Sequence, residues 1–260
     1  MSRAIFLTEI RFRARNVALA AVGVVLVAVL VGALYPSLGN SVGKIDIPSG
    51  LGNFIGGGDL ATITGWLRAE IMAVYGPLVF AGIAITSAAA STAGEEESRI
   101  FALVLAHPVP RSRLLLAKAL AIALLLAVLA IALFGGLVLS VAIAGGGIAV
   151  TNLVAVSLHL LLLGLAAGAL ALALGAGTGR RSLAGGGAAG IVLAMFVLNG
   201  LAPLVQAVSW VKYLTVFHYY EGADPIARGV DPTGIVVLAA LTVALVAAGA
   251  VGFARRDLRG

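Results

Sequence analysis

Six long apolar stretches, separated by segments rich in arginine, glycine and proline, leave this chain one solvent in which to fold. They run over about Val17–Tyr35, Ile71–Ala90, Ala119–Ala144, Leu153–Gly175, Ala184–Ala207 and Ile235–Ala254, each with about 19 to 26 residues. At ~1.5 Å of rise per residue, such a helix crosses a hydrocarbon core of ~30 Å, with tilt absorbing the extra length. Residues are 61% hydrophobic and only 11% charged, and the mean hydropathy is +1.12. A soluble domain with that core would have too few charges to wet its surface. The sequence therefore predicts an all-α polytopic membrane protein, with residues 1–260 forming a single transmembrane domain with short loops.

The placement of charge orients it. Arg3, Arg11, Arg13, Arg15, Arg99, Arg111, Arg113, Lys118, Arg180, Arg181, Arg255, Arg256 and Arg259 fall before span 1, between spans 2 and 3, between 4 and 5, and after 6. The alternate segments hold Lys44, Arg68, Lys212 and Arg228. Thirteen cations against four, by the positive-inside rule, put both termini in the cytoplasm, as an even number of spans requires. The net charge of +6 is thus a topology signal and not a nucleic-acid footprint. Without cysteine, the chain has neither disulfides nor thiolate chemistry. Span 1 is longer than a signal-peptide core and no small-residue cleavage site follows it, so it is expected to stay as an anchor.

Residues 2–16 place Ile5, Phe6, Leu7, Ile10 and Phe12 among Arg3, Glu9, Arg11, Arg13 and Arg15. The pattern predicts an amphipathic helix lying in the cytoplasmic interface before turning into span 1. A basic topogenic tail is the plainer alternative. The first external loop, about 36–69, opens at Pro36, is glycine-rich from Gly50 to Gly58, and regains helical character over Ala61–Glu70, with Trp66 suited to the membrane boundary. Gly164-x-x-x-Gly168 in span 4 and Gly186-x-x-x-Gly190 in span 5 have the spacing that lets helices approach closely in lipid, within one chain or between two.

The segment between spans 2 and 3 is the richest in chemistry. Glu95, Glu96 and Glu97 follow Gly94 and suit a helix N-terminus. A short helix is expected from about Glu95 to Ala106, ending because His107 precedes Pro108, and Pro110 is placed to start the helix of span 3. Its apolar residues, Phe101 among them, have no cover in this chain and ask for a protein partner or the lipid surface.

The stretch GEEESRIFALVLAHPVPRSRLLLAKAL resembles the segment joining the second and third spans of type-2 ABC exporter permeases. Tyr213–Gly229 is similar to the aromatic segment before the last span in one branch of that family, and Phe253-Ala-Arg-Arg-Asp-Leu258 to its usual ending. His107, Pro110 and Ala117 depart from the family's pattern. The resemblance implies a permease subunit that works as a dimer of identical or homologous chains in a prokaryotic plasma membrane. It also implies two copies of a separate ABC ATPase that bind ATP and magnesium, with no cofactor in this chain. Glu95, Glu96, Arg99, Phe101 and His107 would then lie at or near the ATPase, with Arg111 and Arg113 beside it. Substrate would pass between paired membrane domains lined by spans 2 and 5.

Other readings of the residues stay open. Gly43-Lys44 invites comparison with a phosphate-binding loop, but Leu38 stands where the first glycine belongs and Ile45 replaces the hydroxyl residue, so no ATP site is predicted. Contiguous Glu95–Glu97 step ~100° around a helix and cannot converge on a metal or a reacting atom. His218, Glu221 and Asp224 could share an outer helical face, either as a cation site or as the polar rim of a re-entrant or interfacial helix before span 6. Trp210, Tyr213, Phe217, Tyr219 and Tyr220 would form the aromatic belt there. His159, inside span 4, is either a hydrogen-bonded neutral imidazole or the centre of a proton-coupled carrier or membrane enzyme. With Thr86, Ser87 and Asn199 it completes the candidate substrate-path residues. A membrane anchor recruiting a cytoplasmic protein through the 95–113 segment is the third functional class.

Overall fold

The computed structural model describes residues 2–42, 59–97 and 110–256. Eight helices are used below: α1 Ser2–Val42, α2 Ile63–Glu97, α3 Arg111–Ala144, α4 Val150–Thr178, α5 Leu183–Leu204, α6 Val216–Glu221, α7 Pro225–Arg228 and α8 Pro232–Arg255. Among the described residues, six of them (α1 to α5 and α8) are long and apolar enough to cross a membrane. The protein is a multi-pass helical membrane protein.

Helix ends follow local chemistry. Pro110, extended at ψ 130°, precedes Arg111 as the start of α3, where its missing N–H costs nothing. Thr62 caps α2 by accepting from the Gly65 N–H at 3.1 Å. Asp231 caps α8 through both oxygens, from Thr233 N–H at 3.1 Å and Gly234 N–H at 2.9 Å. Gly179 closes α4 in the left-handed region at φ +62°.

Three boundaries differ from the sequence expectation. Residues 2–16 are helical, but no break separates them from span 1, because nothing between Arg3 and Asn16 is glycine or proline. Pro36 does not open a loop. The helix passes through it to Val42, with only the carbonyl one turn back losing its donor. Likewise Gly94 does not end a helix: α2 runs through a wider π turn at Ala90–Gly94 and into Glu95–Glu97. The acids therefore sit at the far end of a 35-residue helix and not at the N-terminus of a new one.

Helix α4 is the centre of the bundle, packed by α2, α3 and α8, while α1 lies along α3 and α5 sits at the edge. Close approach explains one glycine pair. A Cβ at Gly164 would stand 3.2 Å from Phe80 Cβ, and one at Gly168 3.1 Å from Ala84 Cβ, so this stripe joins α4 to α2 within the chain. Gly186 and Gly190 have nothing within 4 Å on that side and face outward.

Candidate functional site: the arginine-rich end of the bundle

At the end of the bundle that holds both termini, three consecutive carboxylates diverge to three partners. Lys118, only 2% exposed, donates to both oxygens of Glu95 at 2.7 Å each, tying α2 to α3. The Arg256 guanidinium, just past α8, pairs with Glu96, itself 8% exposed. The Arg181 backbone N–H, in the turn between α4 and α5, donates to Glu97 at 2.8 Å. The ~100° step between successive helical residues makes this fan-out possible.

Two further contacts thicken the joint. Arg111, in the first turn of α3, donates to the Arg256 carbonyl at 2.6 Å and the Phe253 carbonyl at 3.4 Å. Arg13 of α1 lies within the field of Glu95, which it shares with Lys118. The root of the segment between α2 and α3 is therefore fastened to α1, α3, the α4–α5 turn and the end of α8. Arg113 is exposed. Arg99, Phe101 and His107 lie outside the described residues, as does most of the helix expected over Glu95–Ala106.

Gly179 belongs to this joint and went unnoticed in the sequence. A Cβ there would meet the Arg256 guanidinium and stand 2.8 Å from Glu96 Oε1. Its left-handed φ and its contact with the ion pair both call for glycine. In the sequence Arg181 stands only as a topogenic charge, and Arg256 as one that also falls within the family-like ending Phe253–Leu258.

At the opposite end, residues 206–231 form a cap. Arg68 of α2 and Asp224 pair at 2.7 Å. Asn199 of α5 donates to Glu221 at 2.9 Å and accepts from the Thr215 hydroxyl at 3.1 Å. Tyr220 OH donates to the Met72 carbonyl at 2.9 Å, and the Asn152 amide to the carbonyls of Ile226 and Ala227 at 3.0 and 3.1 Å. Burial pushes the Glu221 carboxyl up to about 7, Asp224 adding to the rise while Arg68 and the Asn199 hydrogen bond oppose it.

This cap corrects two expectations. Glu221 ends α6 and Asp224 follows in the left-handed region at φ +57°, so His218, Glu221 and Asp224 share no helical face. His218 instead packs edge-on against Tyr213 and Tyr219, with ring centroids 4.7 and 5.1 Å away. Among the described residues, no three His, Asp or Glu side chains are grouped to hold a metal. The aromatic belt is also split. Trp210 and Tyr213 are exposed, but Phe217 and Tyr220 are buried among the helices. The expected single interfacial helix is a 3-10 segment, Gln206–Leu214, followed by two short helices.

Of the candidate substrate-path residues, Thr86 borders an apolar cleft between α1 and α2, its hydroxyl bonded to the Gly82 and Ile83 carbonyls at 2.7 and 3.2 Å. Ser87 is half-buried on the same helix. Asn199 is committed to the cap. His159 is fully buried, and its Nδ1 lies 2.8 Å from the Ala155 carbonyl of its own helix, not a neighbouring one. With that nitrogen donating, Nε2 is an acceptor in the apolar interior, with no hydrogen-bond partner.

A six-span bundle, cationic at the end bearing its termini and polar-capped at the other, has the layout of a multi-pass membrane domain. The chain belongs to the ABC-2 family: a family model described as an ABC-2 family transporter protein matches residues 3–258. It is thus the membrane permease of an ABC transporter, a transport component and not itself an enzyme, in a family that works with an ABC ATPase. No curated protein matches the chain.

Proposed function

We propose that this chain is the permease subunit of an ATP-driven exporter, working as two membrane chains moved by two copies of a separate ABC ATPase engaged at the 95–113 segment. The observation that carries this reading is the divergence of Glu95, Glu96 and Glu97 to Lys118, Arg256 and Arg181. A push on the cytoplasmic segment that follows Glu97 reaches three other elements through ionic and hydrogen-bonded joints, without first bending α2. That is what a passive membrane domain needs in order to convert ATPase closure into helix movement. ATP and magnesium belong to the partner, because the Gly43-Lys44 step lacks the residues that hold phosphate and metal.

The pathway in this reading runs between paired chains, along the outward faces of α2 and α5. Leu78 on α2 and Leu193 and Leu201 on α5 are exposed there, and Gly186 and Gly190 leave room for a neighbouring helix. Co-purification with candidate ABC ATPases, beginning with any encoded in a neighbouring reading frame, followed by ATP hydrolysis in lipid nanodiscs, tests the proposal. A stable complex whose hydrolysis responds to changes at Arg99 or Phe101 is expected. Failure of every such ATPase to assemble with the permease would reject it.

A further inference from the structure

Helix α2 carries a carbonyl that its own backbone does not pair. Over Arg68–Tyr75 the helix widens into π turns, and the Gly76 N–H bonds to the Ile71 carbonyl, five residues back. In that register the donor due to the Met72 carbonyl is residue 77, which is proline and has no N–H. Tyr220 of α6 takes its place. The hydroxyl of this fully buried ring donates to the Met72 carbonyl at 2.9 Å. A buried carbonyl left without a partner costs about as much as a lost hydrogen bond, so α2 depends here on α6.

The next residue is an acid. Glu221 accepts from the Asn199 amide of α5, and Asn199 in turn accepts from Thr215, which caps the other end of α6. Six residues long, α6 therefore joins α2, through Tyr220, to α5, through Thr215 and Glu221. The Arg68 guanidinium pairs with Asp224, so the half-buried Glu221 carboxyl faces a neutral amide instead of a cation. Burial holds its proton on to about pH 7, Arg68 and Asn199 opposing and Asp224 adding to the rise. Glu70, two residues beyond Arg68, falls on the far side of the turn. Helices α4 and α8 also pack on α6. They bring His159, bonded to the Ala155 carbonyl, and Asp231, bonded to the first N–H groups of α8. Burial pushes the Tyr220 hydroxyl well up, and it stays a donor throughout. His218 acts in the opposite sense. Burial and Lys212 disfavour its charged form, against Asp231, so it favours the closed cap above about pH 6.5.

We propose that Glu221 is a proton-binding site whose proton keeps α6 closed as a clasp between α2 and α5, at the end of the bundle opposite the termini. By the positive-inside rule this is the outer end. A carboxylate formed at Glu221 gains by turning out to water, and its chain neighbour Tyr220 is drawn off Met72 by the same movement. Water entering from the outer face then bonds to the Met72 carbonyl, so the open state carries no unpaired group. The clasped carboxyl holds its proton more tightly than an exposed one, ordinarily near 4.5. The clasp is therefore firm below about pH 4.5 and loosens as pH rises to about 7. Its bearing on transport, as a gate set by external pH, rests on the exporter reading. The clasp itself is measured without an ATPase, so its failure is distinct from failure of that reading.

Hydrogen exchange of the full-length chain in lipid nanodiscs tests this at the backbone N–H groups of residues 218–222, with exposure times scaled to the intrinsic rate at each pH. Wild-type protection should fall about tenfold between about pH 5 and about pH 7 and level off above that. Glu221→Gln keeps an acceptor for Asn199 and should show no fall, the His218 effect running the other way. Tyr220→Phe deprives the Met72 carbonyl of its donor and should lower protection at both pH values. Asp224→Asn suits the left-handed backbone and keeps an acceptor for Arg68, but removes a negative charge, so protection should level off at a lower pH. Wild-type protection that is flat or rises over this range, or a Glu221→Gln variant that loses protection as the wild type does, would overturn the proposal. So would Tyr220→Phe as well protected as the wild type, or Asp224→Asn levelling off at the wild-type pH or above it.

Discussion

Lys118 and Glu95 meet in a two-pronged ion pair, with both carboxylate oxygens 2.7 Å from one ammonium that is almost wholly buried. The partners are unequal in burial, the Lys118 side chain being 2% exposed and that of Glu95 21%, and Glu95 also lies in the field of Arg13. Glu95→Gln takes the carboxylate away from a buried ammonium and should cost about 3 kcal/mol. Lys118→Met leaves Glu95 facing Arg13 and should cost roughly a third of that. Thermal unfolding of the two variants in one detergent checks the order, and equal losses would refute it.

Gly179 supplies a second test at the same joint. Gly179→Ala places a methyl against the Arg256 guanidinium and imposes a left-handed backbone on a residue with a Cβ. The backbone alone should cost about 1 kcal/mol, and loss of the Glu96–Arg256 pair adds to it. Arg256→Gln should make the second part of the loss without the first. A Gly179→Ala protein as stable as the wild type would show that the pair tolerates displacement.

The two glycine pairs should behave differently. Gly168→Leu forces α4 off Ala84 of α2, with overpacking of roughly 1–3 kcal/mol. Gly190→Leu points into open space and should leave the fold of a single chain unchanged. If α5 lies between paired permeases, Gly190→Leu should reduce their association, which sedimentation or single-molecule counting in lipid would read.

How much of this could be read from the sequence depended on range. Six spans were legible because hydropathy sums over some twenty residues and survives local exceptions. Helix ends were not. Glycine inside a helix costs only about 1 kcal/mol against alanine, an amount packing easily offsets, so Gly94 carries no stop signal by itself. Pro36 misled for a different reason: within a long helix it frees only the carbonyl one turn back, and the helix continues through it. The partners of Glu95, Glu96 and Glu97 lie 23, 160 and 84 residues away, and such pairings leave no mark in local pattern. Around Tyr220 the deciding fact was helical phase. Thr215 caps α6, and the turn that follows sends Phe217 and Tyr220 inward. Aromatic composition alone could not distinguish these two from Trp210 and Tyr213.

Glu221 predicts a pH dependence with a definite sign. Its folded pKa of about 7 stands above the ordinary 4.5, so the folded state holds the proton more tightly than the unfolded one. Stability should be greatest below about pH 4.5 as far as this group is concerned, and fall as pH rises to about 7, by up to ~3 kcal/mol. Glu221→Gln keeps an oxygen for Asn199 and should flatten that part of the profile. Melting temperatures across this window decide it. A wild-type profile that rises with pH, with Glu221→Gln removing the rise, would contradict the assignment.

The central claim, that a separate nucleotide cycle moves this bundle through the cytoplasmic segment after Glu97, has one most direct test. A photo-crosslinker placed in turn at Phe101 and His107 is activated in the assembled permease–ATPase complex, with and without ATP. The account predicts covalent capture of the ATPase from both positions, a yield that changes with nucleotide, and loss of coupled hydrolysis in Phe101→Asp. An assembled, hydrolysing complex in which neither position reaches the ATPase, or in which both are labelled only from the outer side of the membrane, would contradict it.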